Sequence, residues 1–382
     1  MSAGKVLVSI TKHFETLGDP RIARTRWHDL IDILVIALCG TICGCDSWED
    51  LPRYGRAKVD WLQQFLRLEN GIPSADTFAR VFQRLDPDEF LRCLSSWVEA
   101  LRTQVAPEIV ALDGQTLCGS GDTRRGMRPL HLARAWATQN RLVLGQQACA
   151  EKSNEITAIP KLLQLLELSG AIVTIDAMGC QTEIVDAIRE RGADYVLTVK
   201  ENQPTLHRTI RQTFEGEMER ATQGQPPRFR EHVTTETRHG REEERSYYLL
   251  PAPVSLKSSG RWRDLRNIGM VIRQRTVQGA EQIQVHYYIT SLPRGVKRFA
   301  HAVRAHWSIE NSLHWMLDVN FAQDASRIRK DASPQIASML RQLALMILQH
   351  DTLLKGSLRG KRKIAGWSND ARESLLRTKH AH

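Results

Sequence analysis

The sequence lacks the features of a membrane protein and of a disulfide-stabilised secreted protein. Its seven cysteines are an odd number, no two of them form a C-x-x-C pair, and no Cys/His cluster has zinc-finger spacing, which favours buried free thiols in a reducing cytoplasm. The most apolar run, residues 30–45, contains Asp32 and is too short to span a bilayer. Lys12, His13 and Glu15 stand where a signal peptide needs an apolar core. We therefore expect a soluble cytoplasmic protein with no membrane partner.

The balance of charge is basic, because 53 Lys and Arg against 43 Asp and Glu give a net charge of +10. Such a balance suits a nucleic acid or another anionic surface as a partner. A basic enzyme with no polyanionic partner fits the charge equally well, so charge alone leaves both open. With 382 residues the chain is too long for one small domain, and two or three modules are expected.

The pattern of apolar residues divides the chain into five segments. Helical spacing dominates residues 1–105, which we expect to form a helical N-terminal domain. Short apolar strands alternate with helices over residues 106–224, a pattern typical of an α/β fold with a central sheet covered by helices on both faces. Alternating polar and β-branched residues over 225–296 predict an antiparallel β-rich insertion, and helices return over 297–352. The last segment, 353–382, is expected to be a basic tail.

The tail has the strongest bias of composition. From Lys355 onward it has eight Lys or Arg and two Asp or Glu, and the stretch RGKRK has too few apolar residues to fold alone. We expect this segment to be solvated and partly disordered in the resting protein. A further hypothesis is that it contacts phosphate groups of DNA without sequence preference.

Two aspartates stand at the ends of predicted strands. Asp113 lies in VALDGQT and Asp176 lies in VTIDAMGCQ. In an open α/β sheet, ligands bind beyond the carboxyl ends of the strands. If the two strands are neighbours, the two like charges need a cation between them, and carboxylate oxygens favour Mg²⁺ or Mn²⁺. A single aspartate at a strand end is more often a turn or cap residue, and Gly114 is compatible with a plain turn after Asp113.

A glutamate interrupts an apolar helix further along the chain. In HWSIENSLHWMLDVNF, Glu310 falls on the same helical stripe as Trp307, Leu313 and Leu317, so helical periodicity predicts that it faces the interior. A buried carboxylate without a partner is costly. A metal site shared with the two aspartates would explain the position, and two divalent ions about 3.5–4 Å apart suit a phosphoryl displacement.

Glu310 is compatible with further roles on the sequence alone. An ion pair with Arg304 or Arg329 would also neutralise its charge. His306, Glu310 and His314 form a row at four-residue spacing that suggests zinc, although this differs from the H-E-x-x-H arrangement. The rival candidates for a third acid are Asp318 and Asp324.

Several motifs resemble the H-repeat-associated proteins, a family of bacterial insertion-sequence transposases with a DDE catalytic triad. They are ALDGQT, TIDAMGCQTEIVDAI, YVLTVKENQP, HWSIENSLHWMLDVNF and, nearer the N-terminus, GTICGCDSWEDL and GIPSADTFARVFQRLDP. The resemblance covers about residues 10–350. It implies an RNase H-like catalytic core that is interrupted by the β-rich insertion and preceded by the helical domain. By motif, Asp113, Asp176 and Glu310 match the first, second and third acids, which implies that they are the catalytic and metal-binding residues.

The resemblance also implies an activity. A transposase of this kind would bind the inverted repeats at transposon ends, cleave DNA with two Mg²⁺ or Mn²⁺ ions, and join the freed 3′-hydroxyl ends to target DNA. We expect it to act on double-stranded DNA as a homodimer, in the bacterial cytoplasm at the nucleoid. The alternative is a domesticated or inactive DNA-binding protein of transposon origin, and a metal-dependent RNase or phosphatase is a third hypothesis.

One part of the family pattern is missing. The wider group of transposases with such insertions often has Tyr, Arg and Lys around the glutamate, where this sequence has Val303, His306 and Leu317. The phosphate contacts of that Arg and Lys would then come from His306, or from Lys200 and Asn202 in VKENQ.

A second candidate DNA contact lies in the N-terminal block. The segment GIPSADTFARVFQRL has the pattern of the second helix of a helix-turn-helix, with Arg80 and Arg84 as candidate contacts to phosphates or base edges. Simple packing of Phe78, Val81 and Phe82 within a helical bundle accounts for the same pattern equally well.

Overall fold

The computed structural model describes residues 5–102, 108–149, 155–238, 241–277 and 280–377. Within these ranges helices come first, then a sheet with its covering helices, then helices again. No helix in them is long and apolar enough to span a membrane. The seven cysteines all lie within the described ranges and are free thiols, and Cys118 is the exposed one among them.

Six α-helices precede the sheet in the part of the chain that the structure describes. Polar caps fix the start of two of them: the Ser74 hydroxyl accepts a hydrogen bond from Thr77 N at 3.2 Å, and the Asp86 carboxylate accepts from the backbone N–H groups of Asp88 and Glu89. The six helices are α1 (Lys5–Phe14), α2 (Leu30–Cys43), α3 (Asp50–Ala57), α4 (Val59–Leu62), α5 (Ala75–Arg84) and α6 (Pro87–Leu101).

Helix α5 has one apolar face and one charged face. Phe78, Val81 and Phe82 are fully buried, which confirms that this face packs within the helical bundle. Arg80 and Arg84 lie on the exposed face of the same helix. Their contact with DNA therefore stays a prediction, and the packing of the helix does not prevent it.

The middle of the chain forms the centre of a sheet, as the alternating strands and helices predict. Strand β1 (Ile109–Leu117) pairs in parallel with β4 (Ile172–Ile175), which pairs in parallel with β5 (Asp194–Val199). On the other side, β1 pairs antiparallel with β2 (Leu130–Ala137), and β2 pairs antiparallel with β3 (Leu142–Cys149). The helices of this part are α7 (Glu155–Gln164), α8 (Thr182–Glu190) and α9 (Pro204–Thr222).

The β-rich insertion extends this same sheet. Its last strand pairs antiparallel with β5, so the described strands form a nine-stranded sheet of order β3-β2-β1-β4-β5-β9-β8-β7-β6. The four strands of the insertion pair with one another as successive antiparallel neighbours, which agrees with the alternation in the sequence. Its elements are β6 (Arg230–Arg238), β7 (Arg241–Pro251), α10 (Val254–Ser258), β8 (Asn267–Val277) and β9 (Ala280–Thr290).

After the insertion the chain forms helices again, and some of these pack against the sheet. The first of them packs against β1, β4 and β5, where its Phe299 and Ala302 share an apolar cluster with Ile109 and Ile172. Helices α7 and α8 contribute instead to the larger cluster that contains Leu112. Neighbouring residues of a strand point to opposite faces, so the sheet is covered on both faces. The C-terminal elements are α11 (Val296–His306), a π-helical turn (Glu310–His314), α12 (Trp315–Phe321), α13 (Ser333–His350), α14 (Leu358–Trp367) and α15 (Asn369–Arg377).

The expectation of a solvated and partly disordered tail is wrong for residues 358–377. Helix α14 packs against α2, and α15 packs against α1 and α13. Leu375 and Leu376 are fully buried, and the Arg372 guanidinium lies 4.0 Å from the centre of the Trp61 ring. The Lys361 ammonium donates to the buried Asp351 carboxylate at 2.9 Å. The prediction from the basic composition failed because cations such as Lys361 and Arg372 find partners within the fold.

Candidate active site

The two aspartates follow a matched pair of residues on neighbouring parallel strands. Leu112 of β1 pairs with Ile175 of β4, and Asp113 and Asp176 come next on each strand. Asp176 ends its strand as predicted, and its carboxylate accepts a hydrogen bond from Met178 N at 3.1 Å in the turn that follows. The sheet geometry therefore brings together the two carboxylates that the motifs single out.

Asp113, unlike Asp176, does not end its strand. Strand β1 continues to Leu117 because its antiparallel pairing with β2 persists, and Asp113 lies opposite Arg134. Only the parallel pairing with β4 stops at Leu112. Gly114 is therefore a residue within a strand, and the interpretation of a plain turn after Asp113 is wrong.

Glu310 does not face the interior as helical periodicity predicted. Its side chain is 58% exposed, and Trp307 of the expected stripe is 51% exposed. The buried apolar positions are Ile309, Leu313 and Leu317, which are spaced by four residues. The π-helical turn at this point gives a wider turn than the 3.6-residue period assumed from the sequence, so the apolar stripe moves off Glu310. Glu310 consequently lies at the border between the covering helix and solvent.

Glu310 and Asp113 meet at a buried histidine. His314 Nδ1 lies 3.2 Å from Glu310 Oε2 and 3.6 Å from Asp113 Oδ2. The imidazole is almost fully buried, with 4% of its side chain exposed. The ligand atoms of these three residues all lie within 4.8 Å of one another, which is close enough for them to share one cation.

The two arginines that the sequence offered as ion-pair partners of Glu310 bind other acids in the described part of the chain. The Arg304 guanidinium pairs with Glu236 at 3.0 Å, and the Arg329 guanidinium pairs with Asp122 at 2.7 Å. Both cations are therefore committed to carboxylates away from Glu310.

The rival third acids have structural partners. Asp318 accepts hydrogen bonds from Gln115 Nε2 at 2.9 Å and from Asp324 N at 3.1 Å. Asp324 in turn accepts from Cys118 N at 2.7 Å. These contacts tie the end of α12 to the end of β1, whereas Glu310 shares a cleft with both aspartates.

The electrostatics of the acids indicate that they are crowded. Burial, followed by the charge of Asp176, raises the pKa of Asp113 to about 7. Burial, followed by the charge of Glu155, raises the pKa of Asp176. The pKa of Glu310 is lowered, chiefly by its hydrogen bond with His314. Two partly buried carboxylates that resist ionisation and line the same cleft fit a hard divalent cation.

A buried pair beneath Asp113 was not predicted from the sequence. The Glu155 carboxylate bonds His131 Nε2, and His131 Nδ1 lies 2.8 Å from the Thr116 hydroxyl. A side chain at Gly114 would collide with both Glu155 and His131, so glycine is required there by close approach. Polar residues at these positions carry no periodic signal of burial, because their partners are distant in the sequence.

Arg134, opposite Asp113 on β2, is a second buried charge that the sequence pattern did not indicate. It is fully buried and bonds Gln115 and Ser338. Apart from His131, the other residues of this strand are apolar, so only the positions of its distant partners account for a cation there.

A cleft of about 300 Å³ opens beside the acids. Lys200 is exposed at this cleft, together with Asp113, Asp176 and Glu310. An ammonium group there is placed to meet an anionic substrate. Arg80 and Arg84 do not line it.

Two other predicted phosphate contacts have different surroundings. Asn202 Nδ2 donates to Ala177 O at 2.6 Å, which braces the turn that follows Asp176. His306 lies in the cleft with its Nδ1 3.0 Å from the Thr174 hydroxyl, and burial lowers its pKa to about 4. His306 is therefore neutral near pH 7 and does not replace the charge of the arginine that it stands for.

Comparison with known proteins identifies the family. Residues 105–347 match the family described as Transposase DDE domain, and residues 11–98 match the one described as DDE_Tnp_1-associated. The chain is 36% identical over 359 residues to the putative transposase YncI of Escherichia coli O157:H7, covering 93% of this chain and 91% of that protein. It is 34% identical over 375 residues to the H repeat-associated putative transposase YhhI of E. coli K12, covering 97% and 98%.

The chain therefore belongs to the DDE transposase family, in agreement with the resemblance found in its motifs. This membership makes it an insertion-sequence transposase, an enzyme that acts on DNA, in preference to a DNA-binding protein without catalysis. Among solved structures, the piggyBac transposase in its synaptic complex with hairpin DNA matches 97% of this chain and 78% of that chain, at 9% identity and a TM-score of 0.42. A likeness at that level supports no inference about this protein.

Proposed function

We propose that Asp113, Asp176 and Glu310 are the catalytic carboxylates and that they hold two divalent ions, Mg²⁺ or Mn²⁺. The observation that carries this proposal is the pairing of Leu112 with Ile175, which sets the two aspartates side by side. Glu310 joins them through His314, which is close to both Glu310 and Asp113. When bound, such ions lower the pKa of an attacking water or 3′-hydroxyl and neutralise charge on the leaving oxygen.

Each residue of the candidate site has its own role in the proposed reaction. Asp113 is central, because it neighbours Asp176 on one side and the Glu310–His314 pair on the other. Lys200 at the cleft is placed to contact a non-bridging oxygen of the scissile phosphate. Asn202 holds the turn after Asp176 and so fixes the direction of that carboxylate. The same cleft would serve hydrolysis at the transposon end and then attack by the freed 3′-hydroxyl on target DNA.

We also infer that the catalytic core is RNase H-like. Strand order β3-β2-β1-β4-β5, with β1, β4 and β5 parallel and β2 antiparallel to β1, supports this assignment.

The five segments predicted from the sequence have corresponding roles in the proposal. Residues 106–224 and 297–352 supply the catalytic core, and residues 225–296 supply its β-rich insertion. Residues 1–105 are proposed to bind the inverted repeats, with Arg80 and Arg84 exposed for that purpose. Within the segment 353–382, the described helices α14 and α15 complete the helical bundle. The active assembly is proposed to be a homodimer on double-stranded DNA.

Cleavage of a labelled duplex that ends in the inverted repeat tests the triad. We expect Asp113→Ala and Asp176→Ala to abolish cleavage while binding of the duplex is largely kept, because the carboxylates contact ions and not the bulk of the DNA. Asp60→Ala, which changes an exposed aspartate on α4, is the matched control and should cleave normally. Wild-type turnover by Asp113→Ala would contradict the proposal.

A further inference from the structure

The roles proposed for the three acids do not explain why His314 lies between Glu310 and Asp113. Its Nδ1 lies 3.2 Å from Glu310 Oε2 and 3.6 Å from Asp113 Oδ2. Ligands at adjacent corners of an octahedral ion with bonds of about 2.1 Å lie about 3 Å apart. Both distances from Nδ1 are therefore close to the spacing of neighbouring ligands of one ion, and the ligand atoms of the three residues all lie within 4.8 Å of one another.

The ring of His314 has little freedom to leave this position. It is almost fully buried, and its neighbour Leu313 lies in the apolar core together with Leu317. The π-helical turn begins at Glu310 and ends at His314, so it sets the two side chains one turn apart on the same side. Turns of this kind inside helices occur often at functional sites.

The second nitrogen of the His314 ring, Nε2, can carry the proton when Nδ1 binds an ion. His314 Nε2 is buried and has no hydrogen-bond partner among the described residues. In the metal-free protein the Nδ1 proton is donated to Glu310, and an ion bound between Asp113 and Glu310 would take the place of that proton. With its proton on Nε2, the ring would direct the Nδ1 lone pair at the ion.

Asp176 does not belong to this group of three. The residues whose ligand atoms lie within 4.8 Å of one another are Asp113, Glu310 and His314, whereas Asp176 neighbours Asp113 through the paired strands. Asp113 thus lies between two different sets of donors. Glu310 and His314 supply a carboxylate and a ring nitrogen on one side, and Asp176 supplies carboxylate oxygens alone on the other.

We propose that His314 Nδ1 is a protein ligand of one of the two ions, so that the two ion positions differ in chemistry. This inference rests on the proposed function. The position formed by Asp113, Glu310 and His314 is a mixed nitrogen and oxygen site, and it should prefer Mn²⁺ over Mg²⁺ because imidazole favours the softer ion. The position formed by Asp113 and Asp176 is an oxygen site and should accept Mg²⁺ readily.

Pulsed electron paramagnetic resonance of Mn²⁺ bound to the full-length protein tests this directly. We expect a hyperfine coupling from one directly bound ¹⁴N in the wild type, and its replacement by a ¹⁵N coupling when the protein is made with ¹⁵N-labelled histidine. His314→Gln should remove the nitrogen coupling and weaken one Mn²⁺ position by about tenfold or more, whereas His306→Gln should keep the coupling. The labelling arm needs no variant, so the result does not depend on how well His314→Gln folds.

The outcomes separate this inference from the proposal beneath it. If Mn²⁺ binding is lost in Asp113→Asn but the wild type shows no nitrogen coupling, His314 only positions Glu310, and the inference is overturned while the carboxylate site stands. A nitrogen coupling that persists in a folded His314→Gln protein would overturn the inference as well. Mn²⁺ binding that does not depend on Asp113 would contradict the proposed function itself.

Discussion

Asp113 and Asp176 occupy equivalent positions on two neighbouring strands, each directly after a residue of the matched pair Leu112 and Ile175. The pKa of Asp113 is raised to about 7 by burial and then by the charge of Asp176. Its uncharged form is therefore favoured by the folded protein in the absence of metal. The arrangement stores an electrostatic strain that a divalent cation would relieve.

This relationship predicts a pH dependence of stability for the metal-free protein. An aspartate in the unfolded chain has a pKa of about 3.9, so between roughly pH 4 and pH 7 the folded state binds more protons than the unfolded state. The contribution of Asp113 to the free energy of unfolding is therefore fully present below pH 4, and it is lost as the pH rises through 7. The loss amounts to about 4 kcal/mol at most. We expect urea unfolding in a chelating buffer to show that Asp113→Asn lacks this decline and exceeds the wild type in stability at pH 8.

Divalent ions should change the stability of the wild type and of Asp113→Asn to different extents. Saturating Mg²⁺ or Mn²⁺ should stabilise the wild type at pH 8 and leave Asp113→Asn nearly unchanged, because an amide is a poor replacement for a carboxylate that would hold the ions. Equal stabilisation of the two proteins would show that the ions bind elsewhere.

Glu310 should behave differently in the same unfolding experiment. Its side chain is 58% exposed, and its pKa is lowered by the hydrogen bond with His314, so its charge is not under strain. Glu310→Gln should therefore abolish cleavage, yet change the free energy of unfolding of the metal-free protein by no more than about 1 kcal/mol. A loss of about 3–5 kcal/mol would mean that Glu310 serves a structural ion pair. Asp318→Asn, in contrast, should retain cleavage.

The C-terminal helices should contribute to stability. The buried Asp351 carboxylate is neutralised by Lys361 at 2.9 Å, and the same ammonium donates to Leu348 O at 3.2 Å. Lys361→Met should destabilise the protein by about 3–5 kcal/mol, because it leaves a buried charge without its partner. Lys363→Met, at an exposed position on the same helix, is the control and should change stability by about 0.5 kcal/mol or less. Thermal unfolding that gives the same midpoint for both variants would argue against the packing of α14.

The exposed face of α5 supplies a test of DNA binding. If Arg80 and Arg84 each contact a phosphate, the double change to Gln should reduce the slope of log affinity against log salt by about 0.9 for each contact. Titration of the inverted-repeat duplex at several salt concentrations measures this slope. Arg211→Gln on α9 is a matched exposed control. An unchanged slope in the double variant would remove α5 from the DNA interface.

Local pattern was enough to find much of the fold and the candidate acids. The apolar runs that precede Asp113 and Asp176 predicted strands because strands buried on both faces are apolar throughout. The set of motifs along the chain, from GTICGCDSWEDL to HWSIENSLHWMLDVNF, indicated the family, which the comparison with known proteins confirmed. The buried face of α5 also follows from a few nearby residues, Phe78, Val81 and Phe82. For the strands and for α5 the physical cause lies within one element, so the sequence contains it.

Tertiary structure decided what depends on distant partners. The sequence fits a solvated tail after Lys355, but Lys361 finds Asp351 and Arg372 finds Trp61 only in the folded chain. The insertion joins the central sheet because β9 pairs with β5, which is far away in the sequence. Glu310 is moved off the apolar stripe by a π-helical turn, and His314 meets Asp113 across two elements. Periodicity describes one helix at a time, whereas the site is made where a helix and two strands converge.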